Sequence, residues 1–560
     1  MTRALVLVAL LAESLSAASK PVWPQFRGAG SVGVSGDAAP LPVVFGPRQG
    51  VIWKTGLPAG KSSPVLAAGK LFLTAHEGGK LLTLAVDPRT GALLWRREIG
   101  KAREERRNRL NDPAAPTAVT DGETLVSFFA DFGLVAYDMA GKELWRTPLG
   151  PFESEHGMST SPALGSRSVF VLADVSSGAF LAAFDKNTGE QRWLVPRRNT
   201  VGAYASPTVY QPKDGPEQVI ASGPYEMAGF DAATGEKLWW VTGLPFQPKS
   251  APLVVDDVVY MNSFGMGHSW PDFAALRQQF DTDADGALSQ SEGQKFGYIR
   301  FNFARLDENR NGQLEKQEWD PIVRGDNAAL AVKLSGKGDQ TGNILWRHTR
   351  SLPDVPEPLV YRGIVYLVRD GGILTALDAA SGKLLKQGRL PGAIDQYFAS
   401  PVAGDGKIYL AGASGMLTVV RAGADWQSLA TVDMEEPLWA TPAFDGPDMY
   451  LRAGNTLYCF RGERGQVTPP SRPKIDTSAF DRFTGVYRIR PGDEIVFSIE
   501  EGMFLMKWFR NEAEVVPTGE LTFEARLKPP IRFTFAEQDG KITSVSIEAM
   551  GRTQVYPRAP

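Results

Sequence analysis

The chain has 560 residues, of which 43% are hydrophobic and 22% charged, with a formal net charge of −3. That length holds more than one core, while the balanced charge excludes a chain built to cover nucleic acid and a disordered acidic polymer. Its 58 Gly, 40 Pro and 13 Trp indicate many tight turns with aromatic anchors, which favours an all-β protein.

Residues 1–18 read as a secretory signal peptide: Arg3, an apolar run over 4–12, and small residues over 14–19, with cleavage expected after Ala18. The apolar run is too short to span a bilayer, and no other stretch reaches 18 apolar residues. An exported protein without a membrane span is expected, periplasmic or extracellular. No Cys follows the cleavage site, so a lipid anchor is not expected.

From residue 23 to 465 one unit recurs: a strand ending in Asp, a Thr-Gly type of turn, and a strand carrying Trp. It is written as LAVDPRTGALLWRREIG (84–100), VAYDMAGKELWRTPLG (135–150), AAFDKNTGEQRWLV (182–195), AGFDAATGEKLWWV (228–241), GDQTGNILWRHT (338–349) and TALDAASGKLLKQG (375–388), with a worn copy at 418–429. Asp starts such a turn by accepting backbone N–H groups ahead of it, and Gly takes the left-handed conformation. Trp is read as packing between neighbouring units. A small or polar residue and a Pro precede each unit, at Pro64, Pro116, Pro162, Pro207, Pro252, Pro358, Pro401 and Pro442. Eight markers near 45 residues apart, each followed by about four strands, predict an eight-bladed β-propeller. The eighth blade lacks its Trp strand, and a spare copy lies at GVIWKTGL (50–57), so the N-terminal strand is expected to close the ring.

One gap between markers is 106 residues, which places an insertion at 266–326 in blade five. Within it DTDADGALSQSE (281–292) and DENRNGQLEKQE (307–318) each fit the EF-hand calcium loop. In the first, Asp281, Asp283 and Asp285 supply alternate carboxylates, Gly286 the sharp turn, Ala287 a backbone carbonyl, Ser289 a direct or water-mediated ligand, and Glu292 a bidentate carboxylate. In the second the same places fall to Asp307, Asn309, Asn311, Gly312, the Gln313 carbonyl, Glu315 and Glu318. Hard oxygen ligands in this number suit Ca²⁺, so two calcium sites are expected, the first the tighter. Leu288 and Leu314 are expected to meet in a short β-contact. Phe273, Leu276 and Phe280 share one helix face before the first loop, and Phe301, Phe303 and Leu306 precede the second. The 14-residue link between the loops suggests one shared helix.

The Pro-rich stretch 466–477 reads as a linker, and 478–560 as a small antiparallel β-barrel-like domain. Cys459 lies in an apolar strand and reads as a buried structural thiol. GAGSVG (28–33) has no βαβ context and reads as a loop rather than a dinucleotide site. KAREERRNR (101–109) reads as a solvated loop, and His156, just before a blade's first strand, as a polar loop residue, the alternative being a residue lining the central channel.

The repeat, together with WPQFRGAGSVGVS (23–35), resembles the pyrroloquinoline-quinone (PQQ)-like β-propeller family of exported bacterial proteins, over about 23–465. FTGVY (483–487) resembles the small β-domain appended to exported bacterial serine hydrolases. The first resemblance implies either a quinone-dependent dehydrogenase or a non-enzymatic scaffold, such as the propeller subunit of the outer-membrane assembly machine. Dehydrogenases of this fold carry adjacent cysteines over the cofactor, and a chain with one Cys cannot, so PQQ is not expected as a cofactor. The expected function is that of an exported calcium-binding propeller with a binding or scaffold role, without catalytic residues, the alternative being a PQQ-dependent dehydrogenase-like oxidoreductase. The expected partner is a protein, peptide or glycan of the cell envelope, and the expected state a monomer.

Overall fold

A computed structural model describes residues 22–197, 202–465, 477–490, 492–500, 502–508, 511–526, 530–549 and 552–559. The predicted signal peptide and all but the last residue of the predicted linker lie outside them.

Eight sheets follow one another around a ring, as the repeat predicts, antiparallel apart from the short strand Gly338–Asp339 that pairs parallel with the outer strand of blade four. Blade one is typical, with strands Val65–Ala67, Lys70–Glu77, Lys80–Val86 and Leu93–Gly100 running from the axis outward. Its second and third strands are buried on both faces by neighbouring blades, and the outermost alternates. Strand Val51–Gly56 pairs with Thr456–Arg461 as the outermost strand and completes blade eight, as predicted, so that N- and C-terminal parts of the ring share one sheet. Cys459 lies on this closing pair, and burial pushes its thiol up to about 12.

The repeat's residues act across blade junctions. Trp53, Trp145, Trp193 and Trp346 donate their indole N–H to Pro88, Lys186, Ala232 and Ala379 carbonyls in the turn of the next blade, at 2.9–3.2 Å. The turn glycine lies flat against the same indole. At Gly189 (φ 74°) a Cβ would fall 2.4 Å from the Trp145 ring, and at Gly91 (φ 73°) the same distance from Trp53. Within the turn, backbone N–H groups of Arg89 and Asn187 hold the Asp87 and Asp185 carboxyls below their usual range. Gly189→Ala is therefore expected to lower stability by about 2 kcal/mol or more, from left-handed strain and overpacking together. Gly100→Ala, where nothing lies within 4 Å, should change it by less than about 0.5 kcal/mol. Urea unfolding of the two variants checks this.

The polar residue beside seven of the eight Pro markers forms a second ring, nearer the axis; beside Pro252 stands Ala251, whose N donates to Glu357 Oε1. Ser63 N donates to Thr117 Oγ1, Thr117 N to Ser161 Oγ, and Ser161 N to Ser206 Oγ. Glu357 N donates to Ser400 Oγ, Ser400 N to Thr441 Oγ1, and Thr441 N back to Ser63 Oγ. Backbone N–H groups next to a strand start have no ladder partner, and the hydroxyl of the following blade supplies one. In blade six a buried Glu357 stands in place of the hydroxyl residue.

Residues 23–35 cross one end of the axis. Trp23 exchanges backbone bonds with Leu66 in blade one, and Pro24 O accepts from Thr120 in blade two. Arg27 Nη2 donates to Pro358 O before blade six at 2.9 Å, and Gly33 and Ser35 bond Ala403 in blade seven. GAGSVG is the turn of this crossing segment. Gly33 (φ 73°) is packed so that a Cβ would sit 2.8 Å from the Arg27 guanidinium.

The insertion leaves blade five between strands Val258–Ser263 and Ala328–Lys333. It holds helix α1 (Phe273–Phe280), a short α2 (Gln290–Gly293), α3 (Gly297–Leu306) and α4 (Lys316–Trp319). Phe273, Leu276 and Phe280 are buried together with Leu288, Ile299, Phe303, Leu306 and Leu314. Of the residues preceding the second loop, Phe303 and Leu306 are buried, while Phe301 is 78% exposed and Ile299 takes the core place on α3. One expectation needs correcting. The link between the loops is two helices rather than one, because the chain breaks at residues 294–296, with Phe296 extended.

The C-terminal region forms eight antiparallel strands in sequence order, from Gly485–Arg490 to Arg552–Pro557, and the Tyr487–Arg558 bridge nearly closes them. Phe483, Phe497, Phe504, Phe523 and Phe535 fill the interior. The barrel meets blade six where Arg389 Nη2 reaches Glu500 and Glu512 at 3.1 and 2.8 Å.

The charge run at 101–109 is not a solvated loop. Lys101 and Arg107 both pair with the fully buried Asp131, and Arg103 pairs with the buried Glu105. Lys101, Arg103 and Arg107 turn inward to neutralise two buried carboxylates, a pattern that charge counting does not show.

Candidate functional site

Loop one begins where α1 ends. Asp272 caps α1 by accepting from Ala275 N, and Asp281 follows its last turn. The loop is wound by its own side chains: Asp281 Oδ2 accepts from Gly286 N, Asp283 Oδ1 from Asp285 N, and Asp285 Oδ1 from Ala287 N, at 3.3, 3.2 and 2.9 Å. Ala284 (φ 58°) and Gly286 (φ 98°) provide the left-handed residues this winding requires. One oxygen from each of Asp281, Asp283 and Asp285 lies within 4.8 Å of the others. Asp281 Oδ1 is buried without a hydrogen-bond partner, on a side chain only 4% exposed. Arg277 Nε pairs with Asp281 Oδ2 at 3.1 Å, but a carboxylate with one buried, unpaired oxygen beside two further carboxylates is a poor arrangement unless a cation sits between them.

Glu292 lies outside that cluster and ties the ends of the loop. Its Oε1 accepts from Thr282 N and Oγ1 at 2.6 and 2.8 Å, and its Oε2 from Ser289 N and Oγ at 2.9 and 2.7 Å. The Thr282 amide first, then the Ser289 hydroxyl, lower its carboxyl to about 2. Ser289 caps α2.

Loop two repeats the winding with fewer charges. Asp307 accepts from Asn311 N and Gly312 N, Asn309 from Asn311 N, and Asn311 from Gln313 N, at 2.8–3.0 Å. Arg310 (φ 60°) and Gly312 (φ 84°) match Ala284 and Gly286. Glu318 accepts from Glu308 N and Glu315 N, and the Glu315 carboxylate takes an N–H of Asn309. The loops meet side by side, Leu288 opposite Leu314 and Ser289 opposite Gln313. The Gln313 amide also donates to Asp285 Oδ2 at 3.1 Å. The loop pattern assigns Gln313 only a carbonyl; the side chain's reach depends on the pairing of the loops.

The ring carries a second feature, a central cavity of about 860 Å³. Its floor is the hydroxyl ring, with Phe26 of the crossing segment, and its walls come from the loops between blades. Trp439 stacks on Phe398 at 5.0 Å, and the Lys61 ammonium lies 3.9 Å above the Trp439 ring. Burial lowers the Lys61 ammonium below its usual range. Across the cavity His156 packs on Tyr204 at 5.3 Å, and Lys249 pairs with Asp354 at 2.6 Å. His156 is thus a wall residue, the alternative to the polar loop role expected. The hydroxyl floor was visible in the sequence as the residue beside each Pro marker, but its role was not.

The sequence model of one protein family, described as outer membrane protein assembly factor BamB, matches residues 53–140, 130–268 and 320–472. Residues 269–319, which hold both loops, fall between the matched segments. The outer membrane protein assembly factor BamB of Yersinia pestis is 24% identical over 288 residues, which cover 48% of this chain and 65% of that one. Among solved structures, BamB from Moraxella catarrhalis matches with a TM-score of 0.46 and 12% identity, over 73% of this chain and 99% of that one. A europium-containing methanol dehydrogenase matches with a TM-score of 0.49 and 10% identity, over 79% and 98%.

Proposed function

Since the chain belongs to the family of the outer membrane protein assembly factor BamB, we propose that it is an exported, non-enzymatic scaffold propeller of the cell envelope that holds calcium in two EF-hand loops. The observation that carries the calcium reading is the convergence of Asp281, Asp283 and Asp285, with one buried oxygen of Asp281 left unpaired. Asp281, Asp283, Asp285, the Ala287 carbonyl, Ser289 and Glu292 would hold the first ion. Asp307, Asn309, Asn311, the Gln313 carbonyl, Glu315 and Glu318 would hold the second. Calcium supplies charge neutralisation there and no bond-making chemistry. For Glu292 to ligate, one of its two oxygens must exchange the Thr282 or Ser289 bonds for the ion.

The scaffold reading rests on the family and on a cavity-bearing face that offers aromatic stacking and hydroxyl groups to a protein partner of the envelope. Among the described residues no helix is long and apolar enough to cross a membrane. Calcium outside the cell is near millimolar, where such loops stay loaded, so the ions are structural under working conditions. Calorimetric titration of the full chain, stripped with a chelator, is expected to show two calcium equivalents with the tighter one in loop one. Absence of binding heat and of any calcium-dependent rise in melting temperature would refute it.

A further inference from the structure

The inserted module and the central cavity share a wall. Phe264, Gly265 and Met266, which lead from blade five into the module, line the cavity. Met266 exchanges both backbone hydrogen bonds with Phe246, at 2.9 and 3.2 Å, and the next residues from Phe246, Gln247 and Lys249, also line the cavity. The two ends of the insertion are clamped: Gly265 N donates to Asn327 Oδ1, and Asn327 Nδ2 to Gly265 O. The approach is close enough that a Cβ on Gly265 would lie 2.0 Å from Phe246 O.

From that wall a run of ring contacts leads into the module. Phe246 packs on Tyr225, a blade-four residue, at 6.2 Å, and Tyr225 packs on His268 at 5.5 Å. The Tyr225 hydroxyl is hydrogen-bonded to that of Tyr298. Tyr298 stacks on Trp270 at 4.9 Å and belongs to α3, whose C-terminal cap is Asp307, the first residue of loop two. Gly293, directly after Glu292 of loop one, packs under the same helix, so that a Cβ there would meet Ile299 at 2.5 Å. Helix α3 is therefore held at one end by loop one and at the other by loop two, and its first turn bears on Tyr225, which packs on Phe246 behind the cavity wall.

We infer that the calcium load of the two loops sets the order of one wall of the central cavity. The inference rests on the calcium reading above. Without a cation the three aspartates of loop one repel one another, the ends of α3 lose their anchors, and the module opens locally at lower free-energy cost. The wall residues Gln247, Lys249 and 264–266 are tied to the module through the Phe246–Met266 pair and open with it. The linkage is reciprocal, so occupancy of the cavity by the envelope partner would raise the module's calcium affinity by the same factor.

Hydrogen exchange of the full chain, read by mass spectrometry with saturating calcium and with chelator, tests this. Calcium is expected to slow exchange about fivefold or more both in 272–320 and in the wall segments 244–249 and 262–267. Blade two, 124–138, serves as the unchanged reference. In Tyr225→Phe, which removes the hydroxyl contact from the propeller side, the module keeps its calcium protection while the wall loses about threefold of its own. Protection confined to 272–320 would overturn the inference and leave the calcium reading standing. Wall protection in Tyr225→Phe equal to that of the unchanged protein would overturn the route through Tyr298. Absence of both binding heat and protection would remove the calcium reading and the inference with it.

Discussion

Glu292→Gln is expected to weaken calcium binding at loop one about a hundredfold or more while leaving the propeller folded. Both carboxylate oxygens are in use, accepting four hydrogen bonds from Thr282 and Ser289. An amide keeps one acceptor and turns an NH₂ toward N–H donors on the other side, so it fails both as a ligand and as the tie across the loop. The carboxyl is lowered to about 2, so it stays ionised at any pH used for titration, and the comparison is free of a protonation effect. Loop two should weaken less, through the Leu288–Leu314 contact and the Gln313–Asp285 bond. Calorimetry of both proteins checks this. A two-site isotherm in Glu292→Gln indistinguishable from that of the unchanged chain would place calcium elsewhere.

Arg27→Met is expected to destabilise the propeller by about 3–5 kcal/mol, because it leaves the Glu357 charge without a counter-ion in the cavity floor, held by the Ser400 hydroxyl and Ala251 N. The Arg27 guanidinium lies 3.7 Å from Glu357 Oε2, with both side chains at least nine-tenths buried. Burial lowers the arginine below its usual range and raises the carboxyl above its own. The sign follows. A carboxyl that holds its proton more tightly when folded than when unfolded makes stability fall as pH rises through the unfolded value toward the folded one. Removing the arginine raises the folded value further, so the loss should be larger at pH 8 than at pH 5. In Arg27→Met/Glu357→Gln the buried charge is gone, and a substantial part of the loss should be recovered. Urea unfolding at the two pH values measures all three effects. An equal loss at both pH values would mean that the cost is lost packing of the long side chain rather than an unpaired charge.

The blades, the ring closure and the two loops were legible in the sequence because each is written in local terms. An Asp-to-Gly turn, a Trp on the next strand and a Pro before the first strand act within a few residues of one another, and repeat. The alternate oxygens of Asp281, Asp283 and Asp285 converge because they share one wound loop. The helices around those loops were legible only in part. A helical period places Phe273, Leu276 and Phe280 on one face, but it cannot say that α3 turns Ile299 inward and Phe301 outward, since that depends on how the two loops pair.

By itself the sequence determined an eight-bladed ring with an acidic insertion in its fifth blade and a small β-domain after it. Only the tertiary structure decided what the ring encloses. Arg27 meets the Pro358 carbonyl across 331 residues of chain, the hydroxyls beside the Pro markers join blade to blade, and Tyr298 of the insertion reaches Tyr225 of blade four. The hydroxyls recur with the Pro markers, but nothing in that period says that they bond, and the Arg27 and Tyr298 contacts have no period at all. They exist because a closed ring brings eight strand starts to one axis, where every unpaired N–H and every buried charge must find a partner from another blade.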